Sequence, residues 1–301
     1  AMARHPLIKA LAFTGSLQGG RALFDLAAAR PEPIPVFAEM GSINPVFLLP
    51  GALCERGAQI AAGFTEALTL GVGQFCTNPG AVLAIQGPEL EMFAARVEAA
   101  LAERPVGTML HAGIRQNFQT GVARLAAVRG VAQKGGGGSP GRGGCSAAAV
   151  LLRTDSRAFM ANSGLEEEVF GPAALLIECS GYDDMLSVAR HLKGQLTATI
   201  HGAGEDSAVI PLLARVLERK AGRLIFNGFP TGVEVCHAMT HGGPYPATTD
   251  SRFTSVGTAA IHRFLRPVSY QNFPPELLPE ILRDRCTLNP WKLIDGEWTR
   301  R

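Results

Sequence analysis

Short runs of apolar residues alternate along the chain with longer segments in which apolar residues recur at helical spacing. The short runs predict strands at residues 7–13, 34–38, 45–49, 81–85, 148–152, 174–178, 196–200 and 223–226. The periodic segments predict a helix capped by Ser16 that ends at the proline-rich stretch 31–35, and further helices at residues 52–70, 90–102, 183–191 and 207–220. Strands separated by helices of this length indicate an α/β fold, with a mostly parallel sheet and helices on both faces.

Residues 135–144 are nearly all glycine, interrupted by a serine, a proline and an arginine. Gly136, Gly138 and Gly141 formally match the G-x-G-x-x-G pattern of nucleotide-binding turns. No apolar strand leads into the stretch and Pro140 lies inside it, so we reject that interpretation. We expect a flexible surface loop.

The composition is that of a folded protein, since 47% of the 301 residues are hydrophobic. Charged residues make up 18%, below the usual level of about 25%, which indicates surface made to be covered by a partner subunit or a further domain. A formal net charge of +2 gives no reason to expect nucleic acid or acidic lipid as a partner. No apolar run approaches the roughly 18 residues that a membrane helix needs.

The six cysteines lie far apart and form no C-x-x-C pair. This spacing argues against a zinc ribbon or a disulfide framework, and it favours the reducing cytoplasm as the location.

Cys76 stands out because it lies in the loop 73–80, which is rich in glycine, asparagine and proline. Glycines let a second molecule approach closely, and backbone N–H groups in such a loop can stabilise an anion. A thiolate there would be a strong nucleophile. A buried structural cysteine is the alternative.

Two acidic positions also border small residues. Glu39 ends a predicted strand and precedes Met40-Gly41, where a carboxylate can project into a cleft and act as a base. The acidic run 166–168 leads into an aromatic residue, a glycine and a proline. The pattern at Glu39 also fits a solvated loop glutamate. The pattern at 166–168 also fits a solvated helix end followed by a turn.

His237 and His241 are four residues apart, a spacing that could hold zinc on a helix. The residue after His237 is Ala238, not the glutamate of a zinc protease, and Gly242-Gly243-Pro244 would cut the helix short. We therefore expect no metal site.

Four segments together resemble the aldehyde dehydrogenase superfamily in their order and spacing. They are Phe13-Thr14-Gly15-Ser16, Glu39-Met40-Gly41, Gly73-Gln74-Phe75-Cys76 and Glu168-Val169-Phe170-Gly171-Pro172. Within the superfamily, residues 73–80, 241–249 and 263–272 resemble the subgroup that oxidises 2,5-dioxopentanoate to 2-oxoglutarate with NAD or NADP.

The resemblance implies a covalent mechanism on a small-molecule aldehyde. Cys76 would attack the aldehyde carbon and form a thiohemiacetal, with its own backbone N–H as one oxyanion donor. Glu39 would activate the water that releases the acid.

The resemblance also implies the cofactor contacts. Gly15 and Ser16 would face the pyrophosphate at a helix N-terminus. Met40 would offer backbone contacts near the nicotinamide, Glu168 would bind its ribose and Phe170 would pack against the ring.

In this family a longer N-terminal part precedes the Phe-Thr-Gly-Ser turn and carries most of the nucleotide-binding sheet. We therefore interpret residues 1–40 as the C-terminal remnant of a Rossmann-type dinucleotide-binding domain and residues 41–250 as the catalytic domain that bears Cys76. Residues 251–301 would form a helix, an oligomerisation strand and a tail. The chain would be a fragment or a truncated product, and the full-length form a homo-oligomer, either a dimer or a tetramer.

Two other functions remain open at this point. One is a cofactor-free thiol esterase that uses Cys76 and Glu39. The other is an inert fragment or a subunit-interaction module. Residues 263–273 alternate apolar and polar positions and resemble the strand that adds to a neighbour's sheet in family dimers, although an ordinary edge strand has the same pattern.

Overall fold

The structure, a computed structural model, describes residues 2–137, 144–232 and 234–300. The chain divides into two compact units, Ala1–Arg263 and Phe264–Arg301. Most of the predicted glycine-rich loop, residues 138–143, lies outside the described residues.

Strands and helices alternate through the first unit. The strands along the whole chain are β1 (Leu11–Thr14), β2 (Val36–Glu39), β3 (Val46–Leu48), β4 (Ala81–Ile85), β5 (Gly107–Thr108), β6 (Ala132–Gly136), β7 (Ser146–Ala147), β8 (Val150–Asp155), β9 (Ala173–Cys179), β10 (Gln195–His201), β11 (Ala221–Phe226), β12 (Lys292–Ile294) and β13 (Glu297–Thr299). The α-helices are α1 (Leu17–Ala28), α2 (Pro50–Thr69), α3 (Pro88–Glu103), α4 (Ala112–Ala126), α5 (Ser156–Ala161), α6 (Tyr182–His191) and α7 (Ile210–Leu217).

A seven-stranded sheet forms the centre of the first unit, with strand order β11-β10-β3-β4-β9-β8-β6. All neighbouring pairs are parallel except β8 and β6, which run antiparallel at one edge. The prediction of an α/β fold with a mostly parallel sheet is confirmed.

Helices cover both faces of this sheet because successive strand residues point to opposite sides. In β3, Val46 packs into a cluster with Phe64 of α2 and Phe93 of α3, whereas Phe47 packs into the cluster on the other face with residues of α4 to α7. The side chains of both clusters are buried, and each fully buried Phe or Leu side chain contributes about 1.5–3 kcal/mol to the free energy of folding.

A separate parallel pair, β1 and β2, flanks α1 and forms a small cluster of its own. Ser16 caps α1, since its Oγ accepts a hydrogen bond from the Gly19 N–H at 3.2 Å, as the sequence predicts. Gly15 N–H donates to the Glu39 carbonyl at 3.0 Å and so brings the end of β1 beside the end of β2.

The structure contains two α-helices that the sequence analysis missed, α4 and the short α5. Helix α4 buries Phe118 and Leu125, and these follow Ile114 at helical spacing, so an apolar period was present. Its start carries no usual capping residue: the His111 ring accepts the hydrogen bonds from the first turn instead. Strand β6 was also missed. It includes Gly135 and Gly136, which we expected in a loop, and its mostly exposed, polar residues give no strand signal.

Residues 263–273 form no strand within this chain, so the alternative of an ordinary edge strand is not observed, and addition of this segment to a neighbour's sheet stays a prediction. A 3-10 helix, Thr258–Phe264, ends in this segment, and the described residues that follow it include no strand before β12. Within the second unit, β12 and β13 form an antiparallel pair, and its exposed side chains include Leu265, Val268 and Trp291. No helix in the described parts of the chain has the length and apolar character that a membrane crossing requires.

Candidate active site

The loop that carries Cys76 is held by a buried asparagine. Asn44, which adopts a φ of 45°, donates from Nδ2 to the Cys76 carbonyl at 3.0 Å and to the Asn78 carbonyl at 2.9 Å. The Gln195 Oε1 atom in turn accepts hydrogen bonds from the Ser42 hydroxyl and from the Ile43 and Asn44 N–H groups. These bonds hold the main chain from Cys76 to Asn78 against residues 42–44.

The same loop packs directly on the segment 168–172. Gly73 has a φ of +64°, and a Cβ there would lie 2.4 Å from the Gly171 carbonyl carbon. Asn78 Nδ2 donates to the Gly171 carbonyl at 3.1 Å. Only glycine allows this approach, which brings the segment beyond Glu168 against the thiol loop.

The thiol of Cys76 lies at the end of a chain of hydrogen bonds. Its Sγ atom is 3.3 Å from Nε2 of His241, and Nδ1 of His241 is 2.9 Å from Oε2 of Glu39. The Ser255 hydroxyl donates to the same carboxylate oxygen. Cys76, His241 and Glu39 therefore have the linear arrangement that a nucleophile, its proton acceptor and an orienting group require.

Backbone pairing places His241 and Glu39 together. The end of β2 pairs with residues 247–249: Met40 N–H donates to the Ala247 carbonyl at 2.7 Å, and Thr249 N–H donates to the Ala38 carbonyl at 3.0 Å. His241 N–H donates to the Thr254 hydroxyl at 2.9 Å. Segments more than 200 residues apart thus meet at this point.

Both titrating partners of the thiol have shifted pKa values. Hydrogen bonds to Cys76 and Glu39 raise the pKa of His241 to about 9, against the opposing effect of burial. Burial acts to raise the pKa of Glu39, but hydrogen bonds from His241 and Ser255 outweigh it, and that pKa lies below its usual range. At neutral pH the imidazole is therefore cationic between an anionic carboxylate and the sulfur.

All seven residues that the sequence singles out line one cavity of about 550 Å³. They are Gly15, Ser16, Glu39, Met40, Cys76, Glu168 and Phe170. Ile114 and Asn117 from helix α4 complete its wall. Their roles stay predictions, but the structure brings them around a single space.

Glu168 lies against the backbone of Gly41, where a Cβ would lie 3.0 Å from its Oε2 atom. Burial raises the pKa of Glu168 to about 7, and the charge of Glu39 adds to this effect, whereas a hydrogen bond from the Ser42 N–H opposes it. Near neutral pH the carboxyl can thus both donate and accept a hydrogen bond.

The cavity fits the nicotinamide half of NAD or NADP. The N-terminus of α1 beside Gly15 and Ser16 offers N–H groups for a phosphate, Glu168 offers a carboxyl group for ribose hydroxyls, and the half-exposed Phe170 ring offers an apolar surface.

Three residues of the site were not identified from the sequence: His241 as the partner of the thiol, Ser255 and Arg223. His241 was considered only as one of a helical zinc pair, yet residues 234–242 contain no helix. Burial lowers the pKa of Arg223 and the charge of Cys76 acts to raise it, so this cation lies within electrostatic range of the thiol. One sequence feature could have identified His241: it begins the run 241–249, which resembles the 2,5-dioxopentanoate subgroup.

Two relatives match nearly the whole chain. It is 52% identical over 297 residues to alpha-ketoglutaric semialdehyde dehydrogenase 2 of Azospirillum brasilense, a match that covers 99% of this chain and 56% of that protein. It is 43% identical over 299 residues to alpha-ketoglutaric semialdehyde dehydrogenase of Acinetobacter baylyi, covering 99% and 57%. The chain therefore spans little more than half the length of these relatives.

Solved structures share the fold. Proline utilization A of Bdellovibrio bacteriovorus superposes with a TM-score of 0.74 at 20% identity, over 89% of this chain and 28% of that one. A putative aldehyde dehydrogenase of Burkholderia cenocepacia gives a TM-score of 0.68 at 25% identity, over 83% and 51%. The sequence model of the aldehyde dehydrogenase family matches residues 1–266. With that match over most of its length, the chain belongs to the aldehyde dehydrogenase family, as the sequence motifs predict.

Proposed function

We propose that this chain is the cysteine-bearing portion of an enzyme that oxidises 2,5-dioxopentanoate to 2-oxoglutarate with NAD or NADP. The observation that carries the proposal is the line of hydrogen bonds from Cys76 through His241 to Glu39, at the wall of a cavity that fits a nicotinamide. The relatives named for α-ketoglutaric semialdehyde support the substrate.

In the acylation step, His241 holds the proton of the thiol while Cys76 attacks the aldehyde carbon. Glu39 keeps the imidazole oriented through its Nδ1 atom and balances its charge, and Ser255 keeps the carboxylate in place. The thiohemiacetal oxygen collects charge close to the Cys76 backbone N–H. A nicotinamide held in this cavity would supply the hydride acceptor for oxidation of the thiohemiacetal to a thioester.

In the release step, a water molecule attacks the thioester carbon. Glu39, which borders both the cavity and His241, takes the proton of this water. The thiolate leaves and returns to its hydrogen bond with His241.

Arg223 supports an anionic substrate. It is a half-buried cation on β11 within electrostatic range of the thiol, and its guanidinium donates to the Pro230 carbonyl at 2.8 Å. The carboxylate of 2,5-dioxopentanoate, which three carbons separate from the aldehyde carbon, would be attracted to this side of Cys76. Replacing Arg223 with Gln should raise the KM for 2,5-dioxopentanoate more than the KM for butanal.

The 301-residue chain alone should not oxidise aldehydes at enzyme rates. A dinucleotide is held across a whole doubly wound sheet, whereas the described residues place one strand–helix–strand unit, β1-α1-β2, at the cavity. The test compares this chain with a version restored to the length of the relatives, by following NAD(P)H formation with 2,5-dioxopentanoate. We expect turnover from the restored enzyme and negligible turnover from the 301-residue chain. A purified monomer of this chain that turns over at ordinary rates would contradict the fragment interpretation.

A cofactor-free thiol esterase is the second candidate. It is favoured by the same Cys76–His241–Glu39 line, because thioester formation and hydrolysis need no nicotinamide. Cleavage of p-nitrophenyl acetate by the 301-residue chain, abolished by Cys76→Ala, would support it.

We also propose that the full-length protein is a homo-oligomer. The low charge fraction and the exposed apolar side chains of the second unit support this. Light scattering of the restored enzyme at several concentrations is the test, and a monomer at all of them would exclude the proposal.

A further inference from the structure

Three metal-binding groups of different chemistry meet at the thiol. A carboxylate oxygen of Glu39, the Sγ atom of Cys76 and a ring nitrogen of His241 all lie within 4.8 Å of one another. Thiolate, imidazole and carboxylate are the ligands from which proteins build zinc sites. From this cluster we propose that Zn²⁺ binds reversibly to Cys76, His241 and Glu39 and blocks the nucleophile.

The spacing of the three groups suits a tetrahedral ion. Zinc bond lengths of about 2.3 Å to sulfur and about 2.0–2.2 Å to nitrogen and oxygen place tetrahedral ligands roughly 3.4–3.6 Å apart. The Sγ to Nε2 distance of 3.3 Å is already close to this. Since all three ligand atoms lie within 4.8 Å of one another, the most distant pair needs to approach by at most about 1.4 Å.

The charges balance on binding. A thiolate and a carboxylate supply two negative charges to the dication, and the imidazole binds as a neutral ligand. The proton shared by Cys76 and His241 leaves to solvent, and no oxidant or reductant is needed. A water molecule from the cavity lined by Glu39 and Cys76 takes the fourth position, and the same cavity gives the ion its path of entry.

The consequence for function rests on the proposed mechanism: Zn²⁺ withdraws charge from the thiolate and occupies the imidazole and carboxylate groups that the mechanism needs, so the sulfur becomes a much weaker nucleophile. The site is therefore inhibitory. It also revises the expectation of no metal site, which rested on His237 and His241 as a helical pair rather than on this cluster.

Cobalt titration of the 301-residue chain tests the site without any enzyme assay. Cys54 and Cys236, which are exposed, and Cys145 and Cys286, which are partly exposed, are first replaced by Ser, so that other accessible thiols do not contribute. We expect one equivalent of Co²⁺ to give a thiolate charge-transfer band and tetrahedral visible bands, both removed by Zn²⁺ with a Kd of about 10 µM or tighter. Absence of the thiolate band would overturn the proposal.

Variants locate the ligands. Cys76→Ser should abolish the thiolate band, and His241→Gln should weaken Zn²⁺ binding by at least about tenfold. His237→Gln, a change at an exposed histidine, is the matched control and should bind as the parent does. Circular dichroism establishes that each variant is folded. An unchanged band in folded Cys76→Ser would place the metal elsewhere and refute the assignment.

Thiol labelling separates this inference from the proposed function. Zn²⁺ should protect Cys76 from iodoacetamide, as read by peptide mapping, and a chelator should restore labelling. If iodoacetamide labels Cys76 rapidly both with and without Zn²⁺, the proposed metal site is wrong and the assignment of Cys76 as the nucleophile is retained. If Cys76 does not react even without metal while the cobalt band is present, the metal site stands and the nucleophile is wrong.

Discussion

The two sides of the cavity are built very differently. On the thiol side, buried polar side chains hold the main chain in place. Asn44 is 1% exposed and donates to the Cys76 carbonyl, and Gln195 is 3% exposed and accepts from the Ile43 N–H. On the proposed cofactor side, β1 has every second residue exposed, and the β1-α1-β2 cluster has five buried residues.

This difference indicates which chemistry the chain can perform unaided. The position of the thiol, its histidine and its carboxylate depends on contacts within the first unit, so the nucleophile is preorganised. The cofactor side offers one helix N-terminus and a small core, so its affinity for a dinucleotide should be weak. Reactions of Cys76 alone should therefore survive where nicotinamide-dependent oxidation does not. The predictions below test that asymmetry.

The largest effect is expected from Cys76→Ala. In the restored enzyme it should lower both dehydrogenase and esterase rates by at least about 10³-fold, because the covalent step is lost. Initial-rate assays are the measurement, with Cys236→Ser as the control at an exposed thiol. In the 301-residue chain, iodoacetamide should label the Cys76 peptide first. If Cys145 or Cys54 is labelled faster and Cys76 stays unlabelled in the folded chain, the assignment of Cys76 as the nucleophile is wrong.

His241→Gln should slow acylation by about 10²-fold, since the thiol loses its proton acceptor. The burst of p-nitrophenol from the 301-residue chain reports this step directly, and His237→Gln should leave it unchanged. A burst of normal rate in folded His241→Gln would mean that the imidazole only stabilises the fold.

Glu39→Gln should act later, on release of the acid. The restored variant should still give a burst of about one equivalent of NAD(P)H and then a slow steady state, because hydride transfer precedes water attack. If the burst itself disappears, the main function of Glu39 is to orient His241. Unchanged turnover would remove Glu39 from the mechanism.

Ser255→Ala should have a small effect, about two- to tenfold on kcat, because one hydrogen bond to Glu39 is lost. The pH profile should change as well: a less firmly held carboxylate supports the cationic imidazole less, so the limb assigned to His241 should move below pH 9. Ser251→Ala, at an exposed serine, is the control. A reduced rate with an unmoved profile would argue against this positioning role.

His201→Phe should leave activity unchanged and alter only acid stability. Burial, assisted by the charge of Arg56, lowers the pKa of His201 to about 4. The unfolded chain therefore binds this proton at a higher pH than the folded one, and stability is lost as the pH falls from 6.5 toward 4. The loss is roughly 3 kcal/mol. Urea unfolding across this range should show a shallower decline for the variant, and identical declines would reject the assignment.

The fold was predictable where the local pattern is strong. The strand predicted at 81–85 has the observed bounds Ala81–Ile85, because a continuous apolar run between turn signals identifies a buried strand. Helix α4 was missed because its first turn is capped by a histidine ring, which is no recognised start signal.

The site was predictable only in part, for a reason of sequence distance. Family-like motifs drew attention to Cys76 and Glu39, but their partner is 165 residues from one and 202 from the other. No local period links such positions. Only the backbone pairing of β2 with residues 247–249 brings His241 to them.

That pairing has a consequence for synthesis. A ribosome adding about 5–20 residues per second makes Cys76 on the order of 10–30 seconds before His241, which lies 165 residues later. During that interval the nascent chain carries an ordinary thiol without its proton acceptor. The proposed activation of the thiol requires residues 247–249 to pair with β2, a contact of high sequence separation and therefore slow to form. On that proposal Cys76 keeps the reactivity of an ordinary thiol while the chain is incomplete, and enhanced labelling of Cys76 would report that the first unit has finished folding.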